Sequence, residues 1–477
     1  MKSADKGVVA NDKYLQLFLI VLWAFLGALV ISKPLPKFIL PFLTLNFALL
    51  LLLPFRRYFP FFVVMSYAYP SNRIGFFVGG WEVQFIEVFF VFIVLLIFVE
   101  LLWKDTKLKI TPISVLVALF VISTLGQSIR GIVLNYSLPF IRTAGRNLGM
   151  WSVFFPTVVF LQNGGNSEKI IRIMLIGWGL STITYLMAYF GIIPIPDMYF
   201  LGRPWWPPTL NIALFFPIIL LTLIPFEKTD EIKSTLTSLV LMVLSAAILI
   251  PTQSRTIYGV LIIEIFVISG ILVAIHQRGH RLLYFLKLMT ILITLGLAGI
   301  AVLRIIMGND FIVLFQTLLR RFDTITNLQT DLALGARRWQ VWESIRILQG
   351  NWLFGRGSGF EWSSFRGMMR VDNFYFSLLV HQGVVGLSIV LAIFGLWLHR
   401  SIWLIINRNL LESYLLRAFA IGQPAVIAAI LSSGITSAGF VYATSNAVPM
   451  VIFAILTEHL YREYKLKKEL QNSEISS

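Results

Sequence analysis

The chain of 477 residues has no cysteine, which excludes disulfides, thiolate metal sites and a cysteine nucleophile. Charge is also scarce. Charged side chains make up 13% of the residues against 57% hydrophobic, and the mean hydropathy is +0.82, too little polar surface to cover a soluble protein of this length. No Asp-x-Asp pair occurs, so paired acids of the kind that commonly hold a catalytic cation are missing. The five histidines give no metal-ligand spacing; His276 and His280 are four apart but share a basic turn with Arg278 and Arg281. Gly355-Arg356-Gly357-Ser358-Gly359 is glycine-rich but lacks the Lys-Ser/Thr of a phosphate-binding P-loop, so nucleotide chemistry has no support. These absences predict neither a metal nor a cofactor.

What is present is a series of long apolar runs. Tyr14 to Ser32 and Phe85 to Trp103 each match the ~20 residues a helix needs to cross a bilayer, and neither alternates as a barrel strand does. The fold class predicted is an all-α polytopic membrane protein with about fourteen membrane segments. They fall near 14–32, 36–55, 58–70, 84–103, 110–126, 147–162, 170–191, 209–226, 234–251, 256–275, 283–306, 374–398, 416–434 and 440–459. Segment 58–70 is short and proline-bounded, and spans or re-enters. Three regions result: a helical bundle over 1–307, a large outer loop over 308–373, and a second bundle with a basic tail over 374–477. The first apolar run follows Lys2, Lys6 and Lys13, but Lys33 and two prolines stand where a cleavage site would, so it reads as an uncleaved span.

The net charge of +16 is dispersed among short turns, which argues for membrane orientation and anionic lipid rather than nucleic acid. With the N-terminus inside and segment 58–70 counted as a span, the basic turns at Arg56-Arg57, Lys104 to Lys109, Glu227 to Lys233, His276 to Arg281, His399 to Arg408 and the tail all fall on one face; without it the earlier turns swap sides relative to the later ones. That is the positive-inside pattern, and it predicts a multi-pass protein of a bacterial inner membrane with both termini cytoplasmic. On the outer side no lysine follows Lys33 and Lys37; the cations there are arginines. Arginine grips phosphate with a planar fork, whereas lysine is a point charge. The alternative is arginine snorkelling to lipid headgroups.

The outer loop opens with Phe311, Leu314, Phe315, Leu318, Leu319 and Phe322, spaced for an interfacial helix. A second helical stretch puts Arg338, Trp342, Ile345 and Arg346 on one face, and Gly355 to Gly359 reads as a flexible turn. Arg203 sits among prolines and beside Trp205 and Trp206, which suit a headgroup or a sugar face. Arg255 is held in a short outer turn between two spans. Arg142, Arg146 and Arg356 complete the candidate substrate-binding cations. Asp372, at the junction of loop and span, reads either as a helix N-cap or as a general base, although arginines nearby would weaken it as a base. Glu264, in the middle of a span, must pair or stay protonated, and a structural pair is the expected fate; with Lys287 it is the main feature favouring a transporter or lipid-glycan flippase instead.

The Gly202-Arg203 segment leading to Asn211, the Ser254-Arg255 turn, Arg338, Trp342, Phe354-Gly355-Arg356-Gly357, Asn373-Phe374-Tyr375 and Gly383 to Gly386 resemble the O-antigen ligase and polymerase superfamily, over roughly residues 200–400. The resemblance implies a membrane glycosyltransferase of lipopolysaccharide or other polysaccharide biosynthesis. Its donor would be an undecaprenyl-diphosphate-linked oligosaccharide at the outer face, and a chain-length regulator protein is a possible partner. By motif, Arg203 and Arg255 match the family's pair for the donor diphosphate. Ligases of the family show His-Asn where this chain has Asp372-Asn373. That departure favours a polymerase over transfer to lipid A core.

Overall fold

The computed structural model describes residues 109–190, 199–200, 203–204, 207–223, 233–252, 254–275, 332–360, 373–436 and 444–476, with 75–78, 81–84 and scattered helical positions between 59 and 97 and between 286 and 316. Within these, β1 (Gly75–Val78) and β2 (Trp81–Gln84) form an antiparallel ribbon with Gly75 opposite Gln84. The helices are α1 (Pro112–Val133), α2 (Leu138–Gly149), a 3-10 turn (Met150–Val153), α3 (Phe154–Gln162) and α4 (Ser167–Tyr189). A second short ribbon, β3 (Tyr199–Phe200) with β4 (Arg203–Pro204), precedes α5 (Pro207–Thr222), α6 (Lys233–Thr252) and α7 (Arg255–Ile275). Then come α8 (Leu332–Leu348), α9 (Phe374–Ile406), α10 (Tyr414–Thr436) and α11 (Thr444–Ser476). The described residues are therefore mainly helical, in keeping with the all-α expectation, with two short antiparallel ribbons besides.

Among the described residues five helices (α1, α4, α7, α9 and α10) are long and apolar enough to cross a membrane, and three shorter apolar helices lie at Met150–Gln162, Asn211–Thr222 and Leu236–Leu249. α1 shows why such segments belong in lipid. Thr111 caps it, accepting from the Ser114 N–H at 3.1 Å, and Pro112 stands where no N–H is needed. Its inner stripe buries Ile113, Val117, Phe120, Thr124 and Gln127, yet Leu119, Ile122, Leu125, Ile129 and Ile132 on the other side are exposed and equally apolar. A helix apolar all round needs an apolar surrounding.

α10 is the most buried of the five and packs on α5, α7 and α9; α9 packs in turn on α1, α8 and α11. Pro217 and Pro424 lie inside α5 and α10, two helices that pack on each other. Side-chain bonds fix the alternation. Thr222 Oγ1 donates to Ser238 Oγ at 2.6 Å where α5 ends and α6 begins. The Tyr414 hydroxyl donates to Leu221 O at 2.7 Å, and at the opposite end Tyr375 donates to Leu431 O at 2.6 Å. One end thus gathers the starts of α1, α4, α6 and α10, with Lys109, Lys169, Lys233 and the α11 tail, whose Lys467 binds Glu412 and Lys468 binds Asn407, both at 2.6 Å. The other end gathers the starts of α5, α7, α9 and α11, and no described residue there is a lysine. The charge pattern anticipated that division.

Boundaries differ where the sequence signal was mixed. The expected span 147–162 is preceded by α2, a separate amphipathic helix carrying Arg142 and Arg146; segment 110–126 runs on to Val133, and 374–398 to Ile406. Segments 14–32 and 36–55 lie outside the described residues, as does most of the Phe311 to Phe322 stretch.

Candidate functional site

The best-defined feature of the lysine-free end is the segment Asn351–Phe360, seated between α1, α2 and α9. It is pinned, which corrects the flexible-turn reading. Gly355, Gly357 and Gly359 all have positive φ. α9 is broken at Gly383 (φ 67°, ψ −165°), and the segment fills the break. Val384 N donates to Trp352 O at 2.8 Å, Val385 N to Leu353 O at 3.2 Å, and Arg356 N to Val380 O at 2.7 Å. A Cβ on Gly383 would stand 2.3 Å from Leu353 O and 2.5 Å from Gly355 N, so only glycine permits the contact. On the α1 side Ser358 N donates to Gln127 O at 3.0 Å. Beneath, Gln382 bridges the helices, donating to Thr124 Oγ1 at 2.8 Å and accepting from Ser123 Oγ at 3.3 Å.

Arginines surround this segment. Arg130 donates to Gly355 O at 2.9 Å and to Asn351 Oδ1 at 3.1 Å. Arg356 donates through Nε to Ile347 O at 2.8 Å. Arg142 follows Ile141, the residue against which Gly359 packs, and Arg146 stands one turn further along α2. Arg130, Arg338 and Arg356 are ion-paired with no carboxylate among the described residues, whereas Arg346 pairs with Glu343. Arg338 and Trp342 lie on an exposed stripe of α8, while Gln340, Ser344 and Leu348 face inward.

Arg203 lies in β4, which packs near α6, and Arg255 opens α7 three residues after α6 ends. Because α5 and α6 are antiparallel, the backbones of Arg203 and Arg255 belong to the same end as the Gly355 segment. Trp205, Trp206 and Asp372 lie outside the described residues. The neighbour of Asp372 supplies the cap instead: Asn373 Oδ1 accepts from Tyr375 N at 3.0 Å and Phe376 N at 3.1 Å, and its Nδ2 donates to Ile435 O at 2.9 Å. Glu264 is fully buried, and neither carboxyl oxygen has a partner among the described residues, so of its two expected outcomes the ion pair is not seen there; Lys287 lies outside them. Among the described residues no three His, Cys, Asp or Glu gather as a metal site would require. The roles of Arg130, Gln382 and Gly383 as a lock were not read from sequence; the clustered glycines at 355–359 were the available signal. No protein-family model matches the chain, and no curated protein is significantly similar to it.

Proposed function

We propose that this protein is a membrane glycosyltransferase acting on an undecaprenyl-diphosphate-linked oligosaccharide at the lysine-free end of its bundle, taken as the periplasmic face of a bacterial inner membrane. The observation that carries the reading is the collection of arginines, without lysine among the described residues, at that one end. In the reaction an acceptor hydroxyl attacks the anomeric carbon, the bond from that carbon to the diphosphate oxygen breaks, and the lipid diphosphate leaves with its electron pair. Arg203 and Arg255 stabilise the departing negative charge, as preorganised donors do. Asp372 takes the proton of the acceptor hydroxyl. That Asn373 already caps α9 supports a role for Asp372 other than the cap. The resemblance to the O-antigen ligase and polymerase superfamily gives the donor class, and Asp372 in place of histidine favours polymerisation, with transfer to lipid A core as the alternative acceptor reaction. A chain-length regulator is a partner consistent with polymerisation.

Binding of undecaprenyl diphosphate to the full chain in lipid nanodiscs tests the arginine pair. Losing a charge-assisted hydrogen bond costs about 1.5–3 kcal/mol, roughly ten- to a hundredfold in affinity. Arg203→Ala and Arg255→Ala should each show that loss, and Arg→Lys should not restore it. Wild-type affinity in both alanine variants would reduce them to interface anchors. One observation favours a second reading: the buried, unpartnered Glu264 is the kind of intramembrane carboxyl that transporters use. If flipping of a fluorescent lipid-linked glycan by reconstituted protein is abolished by Glu264→Gln while glycosyl transfer is absent altogether, transport replaces transfer.

A further inference from the structure

The Asn351–Phe360 segment follows α8 in a loop expected to lie outside the bilayer, yet two helices measure it as lying inside. Asn373, bonded to Ile435 O, marks the end of the α9 and α10 spans. Val380, which accepts from Arg356 N, lies seven residues further along α9, or about 10 Å at ~1.5 Å per residue. On α1, Gln127 accepts from Ser358 N and lies six residues before the helix end at Val133, which is about 9 Å. With a hydrocarbon core of about 30 Å, both rulers put this non-helical backbone below the headgroups.

Irregular backbone survives at that depth only where protein satisfies it. Here it does: Gly355 N donates to Asn351 O, Arg356 N to Val380 O and Ser358 N to Gln127 O, while Gly355 O accepts from Arg130 and the carbonyls of Trp352 and Leu353 accept from α9. The side chains that point outward are all apolar. Trp352, Leu353 and Phe354 are 43%, 57% and 52% exposed, next to a helix whose Ile129 and Ile132 are exposed likewise. Water would meet three adjacent large apolar side chains; acyl chains would not object to them.

We infer that residues 351–360 form a re-entrant loop whose Trp352-Leu353-Phe354 face contacts the acyl chains of the leaflet at the lysine-free end, and that Arg130 is the residue that positions it. The inference needs the membrane reading but not glycosyl transfer, so either can fail alone. Since the chain has no native cysteine, nitroxide labels at Leu353→Cys and Phe354→Cys report collision with oxygen, enriched in lipid, against a water-soluble nickel chelate. Ile129→Cys on the exposed stripe of α1 and Asn135→Cys beyond its end calibrate lipid and water, all in full-length protein in nanodiscs. The oxygen-to-nickel ratio at both loop positions should match Ile129→Cys, and Arg130→Gln should lower it several-fold towards the Asn135→Cys value. A ratio at 353 and 354 nearer that of Asn135→Cys in the otherwise native chain overturns the re-entrant loop. An unchanged ratio in Arg130→Gln overturns the role of Arg130. The two labelled positions substitute for each other should one variant not fold.

Discussion

Gly383→Ala is the sharpest perturbation of the lock between α9 and the Gly355 segment. The alanine must adopt a φ near +67°, a left-handed conformation costing a non-glycine residue about 1–3 kcal/mol. Its Cβ would also stand 2.3 Å from Leu353 O and 2.5 Å from Gly355 N, backbone atoms with no rotamer to change, so the segment must withdraw. Withdrawal breaks the bonds of Val384 N, Val385 N and Arg356 N. At about 0.5–1.5 kcal/mol net for each bond, the three add about 1.5–4.5 kcal/mol, for a total near 3–7 kcal/mol. Amide hydrogen exchange in peptides covering 351–360 reads this directly, because local opening sets their protection. At ~1.4 kcal/mol per tenfold, exchange should quicken by at least about a hundredfold. Gly395→Ala, in the same helix with nothing near its added Cβ, is the control and should leave exchange unchanged. If Gly383→Ala exchanges within about threefold of the native chain, the segment does not depend on the break.

Glu458 is 1% exposed and accepts from Arg400 Nε at 3.0 Å and Arg462 Nε at 3.2 Å. Glu458→Ala strands the mostly buried Arg400 and should lower stability by about 3–5 kcal/mol, read as a fall in the melting temperature of detergent-solubilised protein; an unchanged melt means the pair is dispensable. The hydrogen bond to Glu412 holds the Lys467 ammonium above the ordinary lysine value, so its contribution is present below that value and is lost as pH rises through the raised one. Both groups are substantially exposed, so Glu412→Gln should cost less than about 1 kcal/mol at neutral pH, and the difference from the native chain should vanish in strongly alkaline melts. Asp372→Asn should cut glycosyl turnover by about a hundredfold or more while undecaprenyl diphosphate still binds; normal turnover would remove it as the base. An impermeant maleimide should label Asn135→Cys from the periplasmic side only, and labelling from the cytoplasm alone would invert the orientation.

The architecture was legible where one physical rule dominated. Hydropathy located α4, α6, α7 and α10 to within a few residues because each is apolar over most of its length. The sorting of lysine to one end followed from charge alone. α2 escaped because Arg142 and Arg146 dilute its hydropathy, although its two faces separate apolar from polar residues. The lock escaped for a different reason: Gly355 and Gly383 stood out only as separate motifs, and the approach of two segments 28 residues apart is what joins their roles. Periodicity carries no information about such a contact. Arg130 likewise reads as one more outer arginine until its guanidinium is seen bonded to Gly355 and Asn351. The two outcomes expected for Glu264, pairing or staying protonated, followed from the cost of a lone buried charge.

Incubation of purified full-length protein with an undecaprenyl-diphosphate-linked oligosaccharide, with no other acceptor and with the lipid-linked and released glycans sized by mass spectrometry, tests the central claim most directly. The account predicts glycans lengthened by whole repeat units with release of undecaprenyl diphosphate, a product set that disappears in Arg203→Ala and Arg255→Ala. Lipid-linked glycan that remains at its starting length, with or without lipid A core added as acceptor, in protein that still binds undecaprenyl diphosphate, would contradict it.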